Sequence, residues 1–139
     1  MLKGIHPLLV PDLLAGLARM GHGDVIAVVD RNFPAYGGTG LVIELPSTTV
    51  TAVLEAVLTV LPLDQFDPPA VVHMLADDGS EAPATAAART LWRRDSASIT
   101  DAGLRRHEGF YARAEAAAIT VRTGETLPFG CFLLKKGTV

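Results

Sequence analysis

The chain has 139 residues and a formal net charge of −3, and 49% of its residues are hydrophobic against 19% charged. That length suits one domain with a core of its own. No apolar run approaches the ~20 residues that cross a bilayer, so the apolar excess is read as surface buried against other subunits, because obligate interfaces resemble a core cut in half. Basic residues cluster only as the pairs Arg93-Arg94, Arg105-Arg106 and Lys135-Lys136; these read as solvated corners and exclude a nucleic-acid stripe. Cys131 is the single cysteine, so no intrachain disulfide forms, and four histidines show no zinc spacing. Leu8-Leu9-Val10 is cut short by Pro11-Asp12, which is too brief for a signal-peptide core, and a cytoplasmic location is expected.

Pro11 to Met20 reads as a helix: proline suits its first turn, Asp12 complements the dipole, and Leu13, Leu14, Leu17 and Met20 share a face. Gly21 stands where a left-handed C-cap would end it, which puts His22 on an exposed turn. Val25 to Val29 is an apolar run, as in a strand covered on both faces. Asp30 falls at its carboxyl end, where open α/β sheets place ligand-binding groups. Gly37-Gly38-Thr39-Gly40 is a loop; a strand follows it and no helix, so it is no dinucleotide fingerprint. Leu41 to Leu45 is a second strand. Thr49 to Leu61 is the clearest helix, with Val50, Val53, Leu54, Val57, Leu58 and Leu61 at helical spacing and Pro62 behind them. Ala70 to Leu75 is a third strand, and His73 inside it reads as a core histidine with its hydrogen bonds met.

Asp77 to Glu81 is a loop and Pro83 to Arg94 an alanine-rich helix. Ser96 to Leu104 is weakly patterned, with room for a short strand. His107 to Ala117 reads as a helix, and Ile119 to Arg122 and Cys131 to Leu134 as strands. The alternation predicts an α/β fold: a single three-layer domain over residues 1–139, with a mostly parallel central sheet between helices.

Several short stretches, in order, resemble the family of L-fucose mutarotases and D-ribose pyranases. They are Met1-Leu2-Lys3-Gly4-Ile5, Met20-Gly21-His22-Gly23-Asp24, Asp30-x-Asn32-Phe33-Pro34, and Leu63-Asp64 before Pro68-Pro69. Phe110-Tyr111-x-Arg113-Ala114, Thr123-Gly124-Glu125 and Leu133-Leu134-Lys135-Lys136-Gly137 complete the set. Each is weak alone, and together they span nearly the whole chain. The resemblance implies a cofactor-free isomerase that interconverts anomers of a reducing monosaccharide, built as a ring-shaped decamer with sites at subunit contacts. It implies His22 as general acid and Asp30 as a sugar-binding carboxylate. It further places His107, Phe129, Gly130 and Cys131 at the substrate. Within it, His107-Glu108-x-Phe110 is similar to the ribose branch, which carries histidine where the fucose branch carries arginine; Phe110-Tyr111-x-Arg113-Ala114 is similar to the fucose branch.

Ring opening needs a base for the anomeric hydroxyl and an acid for the ring oxygen, and one histidine can serve as both. A carboxylate can hold sugar hydroxyls by charge-assisted hydrogen bonds. No metal, nucleotide or covalent nucleophile is required, and Cys131 is not expected to be one. The family's Tyr-x-Asn step before the last strand is Phe129-Gly130-Cys131 here. The missing hydroxyl and amide put both L-fucose and D-ribose in question and leave open a sugar-binding protein without turnover. Between His22 and Asp30 the residues read as strand, which at ~3.3 Å per residue separates them by roughly 20–25 Å. One subunit could then reach one sugar with both side chains only by a sharp bend, so a site shared between subunits is expected.

Overall fold

The protein is described by a computed structural model covering residues 1–139. One six-stranded sheet organises it, in the order β2-β5-β1-β6-β3-β4. β1 (Val25–Val29), β2 (Leu41–Leu45), β3 (Val71–Leu75), β4 (Asp101–Arg105) and β5 (Ile119–Thr123) all run in one direction. β6 (Phe132–Lys135) lies antiparallel between β1 and β3. The expected α/β class and mostly parallel sheet are therefore observed.

The register sorts the apolar strands onto two faces. Ile26 pairs with Ile119 and Leu134, and these face the larger core, built with α1 (Pro11–Arg19), α2 (Val50–Leu58) and α3 (Thr85–Trp92). Leu13, Leu17, Val53, Leu54, Val57, Ala88 and Trp92 are the helical side chains that fill it. Gly16 lets α1 lie directly on the sheet, since a Cβ there would meet the Ile119 side chain at 2.8 Å. On the other face, Ala27, Leu133 and Val72 form one row across three strands. Phe33, Ala35, Phe110, Ala117, Phe129 and the short α4 (Tyr111–Glu115), through Tyr111 and Ala114, pack over that face. Its cluster holds 11 buried residues against 23 opposite, so this layer is thin.

Three helices differ from expectation. α2 stops at Leu58 and not Leu61, because the chain tightens into a turn in which the Thr59 hydroxyl donates to the Ala56 carbonyl at 2.6 Å. α3 begins at Thr85 and ends at Trp92, inside the anticipated span. His107 to Ala117 is not one helix. A π-type turn, Arg106–Phe110, precedes α4, and it is broken at Glu108 and at Gly109, whose φ of +129° only glycine adopts readily. The weakly patterned segment does hold a strand, β4. Its pattern is obscured because Gly103 must let Leu75 and His73 pack against bare backbone, a Cβ there meeting Leu75 at 2.5 Å. His73 is buried with Nε2 3.4 Å from Asp101, while its Nδ1 has no partner. Its hydrogen bonding is thus only half met, and burial lowers its pKa. No helix is long and apolar enough to cross a membrane.

Candidate functional site

His22 sits at the amino end of β1, on a turn fixed entirely by backbone and by its neighbours. α1 does not end in a left-handed Gly21. Met20 already leaves the helix in an extended conformation, and the left-handed residue is Gly23, at φ +89°. The reason is that the Lys136 ammonium donates to the Met20 and Leu17 carbonyls, satisfying the helix end that a glycine cap would otherwise serve. The Gly21 amide donates to the Asp24 carboxylate at 2.7 Å, and Gly23 and Lys136 exchange amide bonds with this turn and the end of β6. The imidazole takes no part in any of this. It is 47% exposed, meets the edge of Phe66 at 5.9 Å, and lies 3.1 Å through Nε2 from the buried Asp64 carboxylate.

Asp30 sits at the opposite, carboxyl end of β1. The Thr123-Gly124-Glu125 turn holds it there: the Thr123 hydroxyl donates to the Val29 carbonyl at 2.8 Å and the Arg31 amide to the Glu125 carbonyl at 3.2 Å. Gly124 must be glycine, because a Cβ would fall 2.0 Å from the Pro46 carbonyl oxygen. The Asp30 carboxylate accepts from the Asn32 amide at 3.0 Å. Its backbone amide points at the Cys131 sulfur at 3.5 Å.

Asp30, Asn32 and Arg106 form the polar part of a cleft of about 230 Å³, and Phe33, Met74, Tyr111, Pro128, Phe129 and Cys131 complete its wall. That is below the ~300–1,000 Å³ of drug-sized sites and suits a small polar molecule. The Arg106 guanidinium is held in a two-pronged pair with Asp77, at 2.9 and 2.7 Å. Phe129 carries φ +58°, a left-handed conformation costing a non-glycine residue roughly 1–2 kcal/mol. Such strain concentrates where side-chain placement matters.

Burial pushes the Asp30 carboxyl above the usual carboxylate range. The folded state thus holds that proton more tightly than the unfolded chain, and ionised Asp30 costs stability at neutral pH. The cost is relieved as pH falls through the raised pKa. Asp30→Asn is therefore expected to raise the melting temperature at pH 7 and to lose that advantage near pH 4. An unchanged or lower melting temperature at pH 7 would contradict this. Burial, with the Asp30 carboxylate beside it, pushes the Cys131 thiol well up, so it stays protonated and unreactive.

The structure thus brings Asp30, Phe129 and Cys131 to one cleft, with Gly130 buried between them. His107 is exposed on the broken turn and reaches the cleft only through Tyr111, edge-on at 5.3 Å. His22 lies at the other end of β1. Arg106, which as half of a basic pair reads as a solvated corner, is on the cleft wall, as are Met74 and Tyr111. Asp64 is 42 residues from His22 in sequence, and no local spacing links them.

A fold of this kind, with a carboxylate-bearing cleft at the carboxyl end of its parallel strands, defines a small-ligand α/β protein. A model of the RbsD / FucU transport protein family matches residues 3–139, and the chain belongs to that family. It is 39% identical to the fucose mutarotase of Homo sapiens, over 99% of this chain and 94% of that one. It is 36% identical to the L-fucose mutarotase of Haemophilus influenzae, over 99% and 96%. The crystal structure of the Streptococcus pneumoniae fucose mutarotase in complex with L-fucose superposes with a TM-score of 0.89 at 31% identity, covering 99% of each chain.

Proposed function

We propose that this protein is a sugar mutarotase that interconverts the anomers of an L-fucose-like reducing monosaccharide. One observation carries the reading: the chain matches an L-fucose-bound mutarotase over 99% of its length. The Asp30 cleft, lined by Asp30, Asn32 and Arg106 together with apolar side chains, fits such a ligand. Asp30 holds sugar hydroxyls. His22 is the acid and base that opens and closes the ring. His107 stands at the rim, and Phe129, Gly130 and Cys131 shape the wall. Saturation-transfer NMR between anomer signals tests this. Exchange above the spontaneous rate is expected for L-fucose or a close analogue, whereas binding without exchange across a panel of monosaccharides would favour a sugar-binding protein instead. His107 keeps a D-ribose pyranase activity as the second reading, and D-ribose belongs in the same panel.

The working unit is an oligomeric ring, a decamer in this reading, in which one subunit supplies His22 and its neighbour Asp30. The two residues lie beyond opposite ends of β1, Val25–Val29, which alone spans roughly 13–17 Å at ~3.3 Å per residue, too far for one sugar. Two apolar surfaces support self-association. The thin side of the sheet leaves a hollow of about 220 Å³ bordered by Val25, Pro69, Val72 and Leu133, with Arg113 and Lys135 beside them, at the His22 end of β1. A groove of about 500 Å³ runs between residues 1–10 and α1, lined by Ile5, Leu9, Val10 and Leu14.

Phe129→Tyr with Cys131→Asn would restore a hydroxyl and an amide to the cleft wall. Each satisfied hydrogen bond contributes roughly 0.5–1.5 kcal/mol, a few-fold in affinity. Tighter binding of L-fucose or D-ribose by titration calorimetry is expected; unchanged affinity for both would show that neither position faces the sugar.

A further inference from the structure

We infer that Asp64 is a positioning residue for His22, fixing the imidazole in its Nε2–H form and leaving Nδ1 as the atom that exchanges protons with the sugar. The inference deepens the proposed mechanism and rests on the catalytic role given to His22 there. Asp64 is 2% exposed. Its place is set by backbone: its amide donates to the Lys135 carbonyl at 3.0 Å, Leu63 bridges to Lys136, and the Gly137 amide donates to the Pro62 carbonyl at 2.8 Å. These bonds carry the end of β6, and the same strand end holds the His22 turn. The two side chains are therefore aligned by one backbone frame.

The Asp64 carboxylate collects donors. The Phe66 amide reaches Oδ1 at 3.1 Å, the Asp67 amide reaches Oδ2 at 3.3 Å, and Lys135 Nζ stands 3.9 Å from Oδ2. The Phe66 amide first, and then His22, hold the carboxyl below the usual carboxylate range. An ionised carboxylate only accepts hydrogen bonds. The proton between Asp64 Oδ1 and His22 Nε2 must therefore sit on the ring nitrogen, and the neutral imidazole keeps its lone pair at Nδ1. No group of the chain hydrogen-bonds Nδ1, and the ring is half exposed, braced by the edge of Phe66.

The chemistry then has a defined atom. Nδ1 takes the anomeric hydroxyl proton. The O–H pair becomes the second C1–O bond, the C1–O5 pair goes to the ring oxygen, and the proton returns from Nδ1 to O5. After rotation about C1–C2 the steps reverse on the other face of the aldehyde, and nothing is consumed. While the ring is cationic, Asp64 offsets its charge.

Three measurements test the assignment. In the unaltered protein labelled with ring-¹⁵N histidine, long-range ¹H–¹⁵N correlations should show neutral His22 as the Nε2–H form, its signals identified by their loss in His22→Ala. An Nδ1–H form would overturn the inference. Asp64→Asn can turn its oxygen to the Asp67 amide and offer an N–H to Nε2, at the cost of the acceptor that Oδ1 gives the Phe66 amide. It should shift His22 to the Nδ1–H form and lower kcat by about 10- to 100-fold, part of the 10²–10⁴ that a placed acid–base group contributes, with KM little changed. A merely structural Asp64 would move stability without moving the tautomer, and unchanged kcat in a folded Asp64→Asn protein would overturn the inference. Normal exchange in His22→Ala is a separate failure: it would remove the catalytic role of His22 and with it any catalytic part for Asp64.

Discussion

Replacing His22 with alanine is expected to slow anomer exchange by about 10²- to 10⁴-fold, the range a positioned general acid–base contributes, with little change in melting temperature. The asymmetry follows from how the turn is made. Gly21, Gly23 and Asp24 carry its hydrogen bonds, and Lys136 ties it to α1 and β6. None of these bonds uses the imidazole. Truncation removes one hydrogen bond and an aromatic edge contact from a half-exposed ring. Asp64 keeps both backbone amides, so no buried carboxylate is left without partners. Saturation transfer reads the rate and a thermal melt reads the fold. Near-normal exchange would sink the assignment, and a large drop in melting temperature would show that the loss came from structure.

Mixing His22→Ala protein with Asp30→Ala protein, each inactive alone, should restore about a quarter of the wild-type activity once subunits reassort. In a ring where every site takes one residue from each of two neighbours, an equal mixture gives an intact His22 at half the sites and an intact Asp30 at half, independently. The effect is large because it starts from two dead proteins. If His22 and Asp30 served one site within a single subunit, every site would carry one lesion or the other and mixing would restore nothing. Mass-tagged subunits would show that exchange took place. A dead mixture after proven exchange, or a fully active monomer, would end the shared-site reading.

The sequence was most legible where a residue's surroundings are its own neighbours. The apolar run of β1 and the stripe of α2 follow from spacing alone. β4 was faint because Gly103 is small for a reason that lies in β3, where Leu75 and His73 need the space. The helix over 107–117 was misjudged because Gly109, an unremarkable helix-weakener in sequence, takes a backbone conformation that breaks the turn. At the site, Asp30 could be placed from the end of its strand. Asp64 could not be joined to His22, nor Arg106 to the cleft, since both depend on pairings between elements far apart in the chain. The Tyr-x-Asn departure was visible as residue types, but the left-handed backbone of Phe129 was not.

The antiparallel strand at the centre of the sheet also bears on how the molecule comes together. Without β6, the sheet is two separate pieces, β2-β5-β1 and β3-β4. The partners of Phe132 to Lys135 on β1 lie about a hundred residues earlier in the chain, so the joining step closes a long loop, which costs entropy before any contact compensates. One end of the same strand leads back to Cys131 and Phe129 at the Asp30 cleft, and the other fixes the His22 turn and Asp64. The Asp30 cleft and the His22 turn therefore depend on one joining step: a chain in which β6 has not docked lacks the strand that ties down both.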